Sequence, residues 1–203
     1  MLIRKLSTDL CKIVSLNYEI SDSEKVCLEY CIQITIKRLL FVVVLLIFGI
    51  LTKRFSTTFL FLIVFIPIRS FCGGAHAPTP FICSILSYGI SLLCILLIPF
   101  VGFKCPHIIT SIAYILSFIA IMLFAPVDTY NKRLNKNQRK KLKFKCHLSL
   151  VITFCLYTIF SIFRDNNSCM TISICVMISA VSVIIGYFQN TRRTKNEAES
   201  SHL

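Results

Sequence analysis

Apolar residues in this chain gather into long runs, interrupted by short charged or Gly/Pro-bearing stretches. Runs of this kind predict membrane-crossing helices. Leu39 to Leu51 is the first, bounded by Lys37-Arg38 and Lys53-Arg54, and Phe55 to Ile68 is the second. Both fall short of the roughly 20 residues that cross a bilayer core, so they read as two short spans helped by snorkelling basic flanks or local thinning. Phe81 to Phe103, Pro106 to Val127, Cys146 to Phe163 and Ser168 to Phe188 follow, each close to spanning length. The predicted fold is an all-α integral membrane protein with about six transmembrane helices. It forms a single membrane domain over 1–203, made of an amphipathic cytoplasmic segment (1–36), a helical bundle (37–188) and a cytoplasmic tail (189–203).

The first 36 residues have a different pattern. Leu2, Leu6, Leu10 and Ile13 or Val14 recur at helical spacing, with Arg4, Lys5, Thr8 and Lys12 on the other side. Ser21-Asp22-Ser23-Glu24 has the form of a capping box opening a second helix, since Glu24 falls at the third helical position. Such helices would lie in the interface, basic residues toward anionic headgroups. Ordinary helices packed beneath the bundle would show the same pattern.

Composition strengthens the membrane reading. The 203 residues are 56% hydrophobic with a mean hydropathy of +0.77, which leaves little room for a soluble domain. The formal net charge of +13 is clustered, and in a membrane protein such clusters first signal cytoplasmic orientation, so nucleic acid is not an expected partner. Between 128 and 145 stand Lys132, Arg133, Lys136, Arg139, Lys140, Lys141, Lys143 and Lys145, against the single acid Asp128. With six spans this loop, both termini and the break at 69–80 share one side; the opposite loops hold only Lys53-Arg54, Lys104 and Arg164. Both termini are therefore expected in the cytoplasm, in a multi-pass protein of the cell membrane. Several of the eleven cysteines, such as Cys94, Cys155 and Cys175, lie in apolar runs as small hydrophobes, and no CxxC pair occurs.

Candidate chemistry is concentrated in the break from Arg69 to Cys83. Thr79-Pro80 before an apolar run reads as N-cap and first helical residue, which puts Cys83 in the first turn, where unpaired N–H groups and the helix dipole favour an anionic sulfur. His76 could fold back as general base and then protonate a leaving amine. Gly73-Gly74 would admit a substrate backbone or aim N–H groups at an oxyanion. A His–Cys pair seven apart also arises by chance. Cys72 is a rival nucleophile without the helix-start placement; a structural thiol is its default reading. A metal site from Cys72, His76 and Cys83 would need a fourth ligand that the sequence does not indicate, so no metal or cofactor is expected. His107 and His202 are placed away from the break, and His147 begins a span. The competing class is a non-catalytic transporter or adaptor using the Cys/His stretch as a gate or metal contact, but the spans carry almost no ionisable residues to support it.

Two motifs in order carry a family resemblance. Arg69-x3-Gly73-Gly74-x-His76-Ala77-x5-Cys83, followed by Ala125-Pro126-Val127-Asp128 and Asn131-Lys132-Arg133-Leu134 with its basic run, resembles the accessory gene regulator protein B (AgrB) peptidases of Gram-positive quorum sensing. The resemblance extends over almost the whole chain. It implies that His76 and Cys83 are catalytic, and that Arg69 and Gly74 occupy positions important for activity; with Gly73 they are expected to bind substrate. The implied reaction removes the C-terminal tail of an AgrD-type propeptide through an enzyme thioester, then closes a thiolactone or lactone ring. A homodimer in the lipid bilayer is also implied. Asp128 and Asn131 are candidates for a third catalytic residue, with backbone capping as the alternative. Lys140, Lys141 and Lys143 are expected to recruit the propeptide's acidic tail, beside their topological role.

Overall fold

A computed structural model of the chain describes residues 2–17, 21–75, 80–102, 107–127 and 136–200. They form seven helices: α1 (Leu2–Asn17), α2 (Asp22–Leu51), α3 (Phe55–Cys72), α4 (Pro80–Gly102), α5 (His107–Phe124), α6 (Lys136–Ile162) and α7 (Asn166–Ser200). No strand occurs among the described residues. Five helical stretches are long and apolar enough to cross a membrane: Ser23–Leu51, Phe55–Cys72, His107–Phe124, Asn137–Ile162 and Asn166–Arg192. In α4 the shorter stretch Ser84–Ile98 is apolar as well. The expected class, an all-α membrane protein, is the one observed.

The chain divides into two compact units, 1–48 and 49–203. In the first unit half of the expected capping box is present: Glu24 Oε2 accepts from the Ser21 backbone N–H at 3.0 Å, and the Ser21 hydroxyl donates to the same oxygen at 2.8 Å. The helix it opens differs from expectation. It does not stop near residue 36, but runs 30 residues to Leu51. No Pro or Gly occurs between Glu24 and Phe48, and Ile32, Ile34 and Ile36 join the two stretches. The boundary expected at 36/37 falls inside this helix. On α1, Ser7 and Cys11 are buried; Thr8 Oγ1 donates to Glu29 Oε1 (3.0 Å), and Cys11 Sγ donates to the Lys25 carbonyl (3.6 Å). The apolar stripe Leu6, Leu10 and Ile13 stays exposed.

In the second unit α7 is the axis, packed against α3, α4, α5 and α6. Lipid offers little hydrophobic drive between helices, so close approach through small residues does much of the work. Small buried residues of α7 include Ser173, Ser179 and Ala180. Ser173 Oγ donates to the Thr110 carbonyl of α5 at 3.1 Å. The facing side of α5 is Thr110, Tyr114, Ser117 and Ile121, and that of α3 includes Phe61, Val64, Phe65, Ile68 and Cys72, both at helical spacing. Tyr114 of α5 stacks on Tyr157 of α6, centroids 4.2 Å apart, while the Ser111 and Tyr157 hydroxyls lie 2.8 Å apart.

Two turns are built from local chemistry. After α2, Arg54 N–H reaches the Gly49 carbonyl (2.7 Å) and Lys53 N–H the Ile50 carbonyl (3.1 Å), a Schellman motif with Lys53 at φ 57°. The same paired bonds close α6, from Asp165 N–H to Phe160 O and Arg164 N–H to Ser161 O (both 3.1 Å), with Arg164 at φ 54°. Asp165 then caps α7: its carboxylate accepts from Asn167 N–H (3.1 Å), Ser168 N–H (3.3 Å) and Ser168 Oγ (2.6 Å). Asp165→Ala should cost about 1 kcal/mol, since three donors at the start of the central helix lose their acceptor. Thermal unfolding in detergent is the check, and an unchanged midpoint would remove the cap from the account.

Candidate functional site

The polar break is narrower than its sequence suggests. Arg69 to Cys72 complete the last turn of α3, and the extended stretch begins at Gly73. Cys72 is fully buried inside a helix end, not placed in a loop, which corrects its reading as part of the break. Pro80 is the first residue of α4, the N1 position expected of it, and Cys83 falls in the first helical turn. His76, Asp128, Asn131 and the Cys83 side chain lie outside the described residues.

One residue organises the start of the break. Arg69 Nη1 donates to the Gly73 carbonyl (3.0 Å) and to Ser182 Oγ of α7 (2.5 Å), and Nη2 donates to the Ala75 carbonyl (2.7 Å). The Ala75 N–H donates to the Ser182 carbonyl at 2.7 Å. The guanidinium thus folds 73–75 back over the end of α3 and fastens it to α7. These donors point to the carbonyls of Gly73 and Ala75 and to Ser182 of α7.

The two glycines are required by the same arrangement. Gly73 has φ 74°, and a Cβ there would lie 2.5 Å from the Val127 carbonyl oxygen. Gly74 has φ 134°, and its Cβ would lie 2.6 Å from Ser182 Oγ and collide with Arg69 Nη1. Both backbones sit where L side chains rarely go. Their lack of side chains serves packing against 127 and α7; the approach of a substrate is a separate matter.

Two further segments meet at this end. Val127 N–H donates to the Cys72 carbonyl (3.1 Å), docking the stretch after α5 on the end of α3. Cys146 of α6 brings its sulfur 2.6 Å from Cys72 Sγ. Lys145 Nζ stands 5.7 Å over the Phe71 ring. At the opposite end Arg54 Nη1 donates to the Ile95 carbonyl (3.1 Å) and to that of Leu96. Lys140, Lys141 and Lys143 are exposed but stand on α6, which begins at Lys136, so the basic stretch is partly a helical extension of its span. His147 Nδ1 is 2.7 Å from the Lys143 carbonyl, one turn earlier on that helix. No group of three or more potential metal ligands occurs among the described residues.

Ser182 and Gly186 were not singled out from sequence. A Cβ at Gly186 would lie 2.6 Å from the Gly74 carbonyl carbon and 2.7 Å from the Ala75 nitrogen, so this glycine lets the loop lie directly on α7. The available signal was a pair of small residues four apart within an apolar run, the spacing of close backbone approach in membranes.

Comparison with known proteins agrees with the motif. A family model described as Accessory gene regulator B matches residues 4–185. Similar proteins include AgrB-like protein 2 of Clostridium perfringens (strain 13 / Type A) and an AgrB-like protein of Clostridium perfringens (strain SM101 / Type A). Each is 24% identical over 185 residues, covering 89% of this chain and 86% of its own. No solved structure matches.

Proposed function

The chain belongs to the accessory gene regulator B family, and on that premise we propose that it is a membrane cysteine endopeptidase and cyclase acting on an AgrD-type propeptide. Family membership supports a role in quorum-sensing peptide processing. The observation that carries the finer reading is the start of α4 at Pro80, which sets Cys83 in its first turn beyond a loop clamped by Arg69. Unpaired N–H groups at such a helix start favour the anionic sulfur that acts as nucleophile. His76, directly after the clamped Ala75, supplies the base.

In the proposed reaction His76 takes the thiol proton, and Cys83 sulfur adds to the carbonyl carbon of the residue that will end the ring. Collapse breaks the C–N bond, His76 returns the proton to the departing amine, and the C-terminal tail leaves. The remaining peptide is held as a thioester. A Cys or Ser side chain of the propeptide then attacks that carbonyl, its proton passing through His76 to the Cys83 sulfur, and a thiolactone or lactone is released. The basic bias of the loops assigns this site and both termini to the cytoplasmic face, and the family resemblance adds a homodimer. Mass spectrometry of a propeptide co-expressed with this chain tests the reading. Masses of the ring and the freed tail are expected; a propeptide left intact would overturn it.

The exposed Lys140, Lys141 and Lys143 enter as a recruiting surface for an acidic tail. Replacing all three with Gln leaves Arg139 and four other basic residues, Lys132, Arg133, Lys136 and Lys145, in place to hold topology. In vesicles the variant should cleave several-fold more slowly at low salt, with the gap closing as salt screens the field. Equal rates at every ionic strength, topology unchanged, would reduce the cluster to an orientation signal.

A further inference from the structure

We propose that Cys72 and Cys146 form a redox modification site, a buried dithiol that closes to a disulfide and staples α3 to α6 directly behind the clamped loop. The two residues are 74 apart in sequence, yet their sulfurs are 2.6 Å apart, well inside ordinary non-bonded contact between sulfur atoms. Their thiols face one another between α3 and α6, the proximity that a bridge requires. Both are buried, at 0% and 2% exposure. Other described cysteines in the interior behave differently: Cys11 and Cys175 direct their thiols to the carbonyls of Lys25 and Phe61.

The position gives the pair a consequence. Cys72 is bonded directly to Gly73, where the clamped loop begins, and its carbonyl receives the Val127 N–H. A covalent bond at Cys72 therefore ties the base of the loop to α6, at the same end that carries the exposed lysines. Held reduced, the end of α3 can shift relative to α6; oxidised, it cannot.

The oxidant class is a small neutral hydroperoxide, which can enter an apolar interior closed to bulky or charged reagents. One cysteine sulfur attacks the peroxide oxygen, giving a sulfenic acid and releasing the alcohol, or water from hydrogen peroxide. The second sulfur displaces hydroxide from the sulfenic sulfur; with the thiol proton this leaves as water. Two electrons have passed from the thiols to the peroxide. A dithiol reductant reverses the change by exchange, itself becoming a disulfide.

The consequence for turnover rests on the peptidase reading, so the first arm does not use activity. Full-length protein with Cys83→Ala in lipid vesicles is exposed to hydrogen peroxide, capped with N-ethylmaleimide, digested without reductant and mapped. A Cys72–Cys146 linked peptide, lost on reduction and absent from Cys146→Ser, is expected; recovery of both cysteines as maleimide adducts would overturn the proposal. Should Cys83→Ala fail to accumulate, the same map on the unsubstituted chain reads the same two peptides. The second arm compares cleavage by the unsubstituted chain and a Cys72→Ser/Cys146→Ser variant after equal peroxide doses. Several-fold greater, reductant-reversible loss in the former is expected, beyond any oxidation of Cys83 common to both. Equal losses would strike out the regulatory consequence. Reduced protein that cleaves nothing would count against the peptidase reading, while the map still decides the disulfide.

Discussion

Cys83→Ala and Cys83→Ser should each leave the propeptide uncut, with cleavage falling by at least about 10³-fold. That scale follows from proteases in which nucleophile and base act as a unit: losing either member removes most of the rate, and the remainder comes from binding and oxyanion stabilisation. His76→Ala should fall to a similar floor, and the double variant should be little worse than either single one. Such non-additivity distinguishes a nucleophile–base pair from two independent contributors. Serine is a demanding control, because it keeps the shape of the side chain but is far less ionised than a thiol at neutral pH. Cys72→Ala should retain most activity under reducing conditions, since its sulfur lies buried against Cys146. The measurement is single-turnover cleavage in vesicles, with the covalent intermediate trapped and its mass read. Ordinary cleavage by Cys83→Ala would remove this cysteine from the chemistry.

The second large effect is expected at Arg69. Its removal leaves the Gly73 and Ala75 carbonyls and the Ser182 hydroxyl without the bonds that hold 73–75 against α7. Hydrogen bonds to a charged group are worth about 1.5–3 kcal/mol each, and the orphaned carbonyls add a desolvation cost. Arg69→Ala should therefore release the loop. A misplacement of about 1 Å next to a reacting group costs on the order of 10²-fold, and kcat should fall by about that much. Arg69→Lys should recover only part, because a single ammonium on a flexible stem cannot reproduce a planar fork reaching three acceptors. Gly186→Ala approaches the same loop from the other side, forcing a methyl against the Gly74 and Ala75 backbone, and should mimic Arg69→Ala with the arginine intact. The split between kinetic constants decides the role. A fall in kcat, shared by Gly186→Ala, marks a positioning residue; a raised KM with kcat unchanged would return Arg69 to substrate contact.

Particular residues show why some of this was legible in advance. The capping box at Ser21–Glu24 and the start of α4 at Pro80 are decided by atoms within a turn of one another, so their sequence signatures suffice. The length of α2 was less legible. The basic pair Lys37-Arg38 marks a membrane boundary by charge, but charge does not end a helix, and no Pro or Gly is there to do so. The same confusion of polarity with chain direction made 128–145 read as a loop, whereas α6 begins at Lys136. At Lys53 and Arg164 the helices turn with positive φ at residues other than glycine, where no glycine signals the stop.

By itself the sequence determined the all-helical membrane class, the order of the apolar segments, the opening of α2 and α4, and the family motif around His76 and Cys83. These follow from composition, run length and contacts between near neighbours. Only the tertiary structure decided what the motif's arginine and glycines pack against, because their partners lie far along the chain. Arg69 meets Ser182 across 113 residues and Cys72 meets Cys146 across 74. In a soluble helix the inward face betrays itself by being apolar; in lipid the outward face is apolar too, so periodicity no longer shows which side of α7 receives α3. The choice falls to the shapes of small residues such as Ser182 and Gly186, whose fit depends on where every other helix has come to rest.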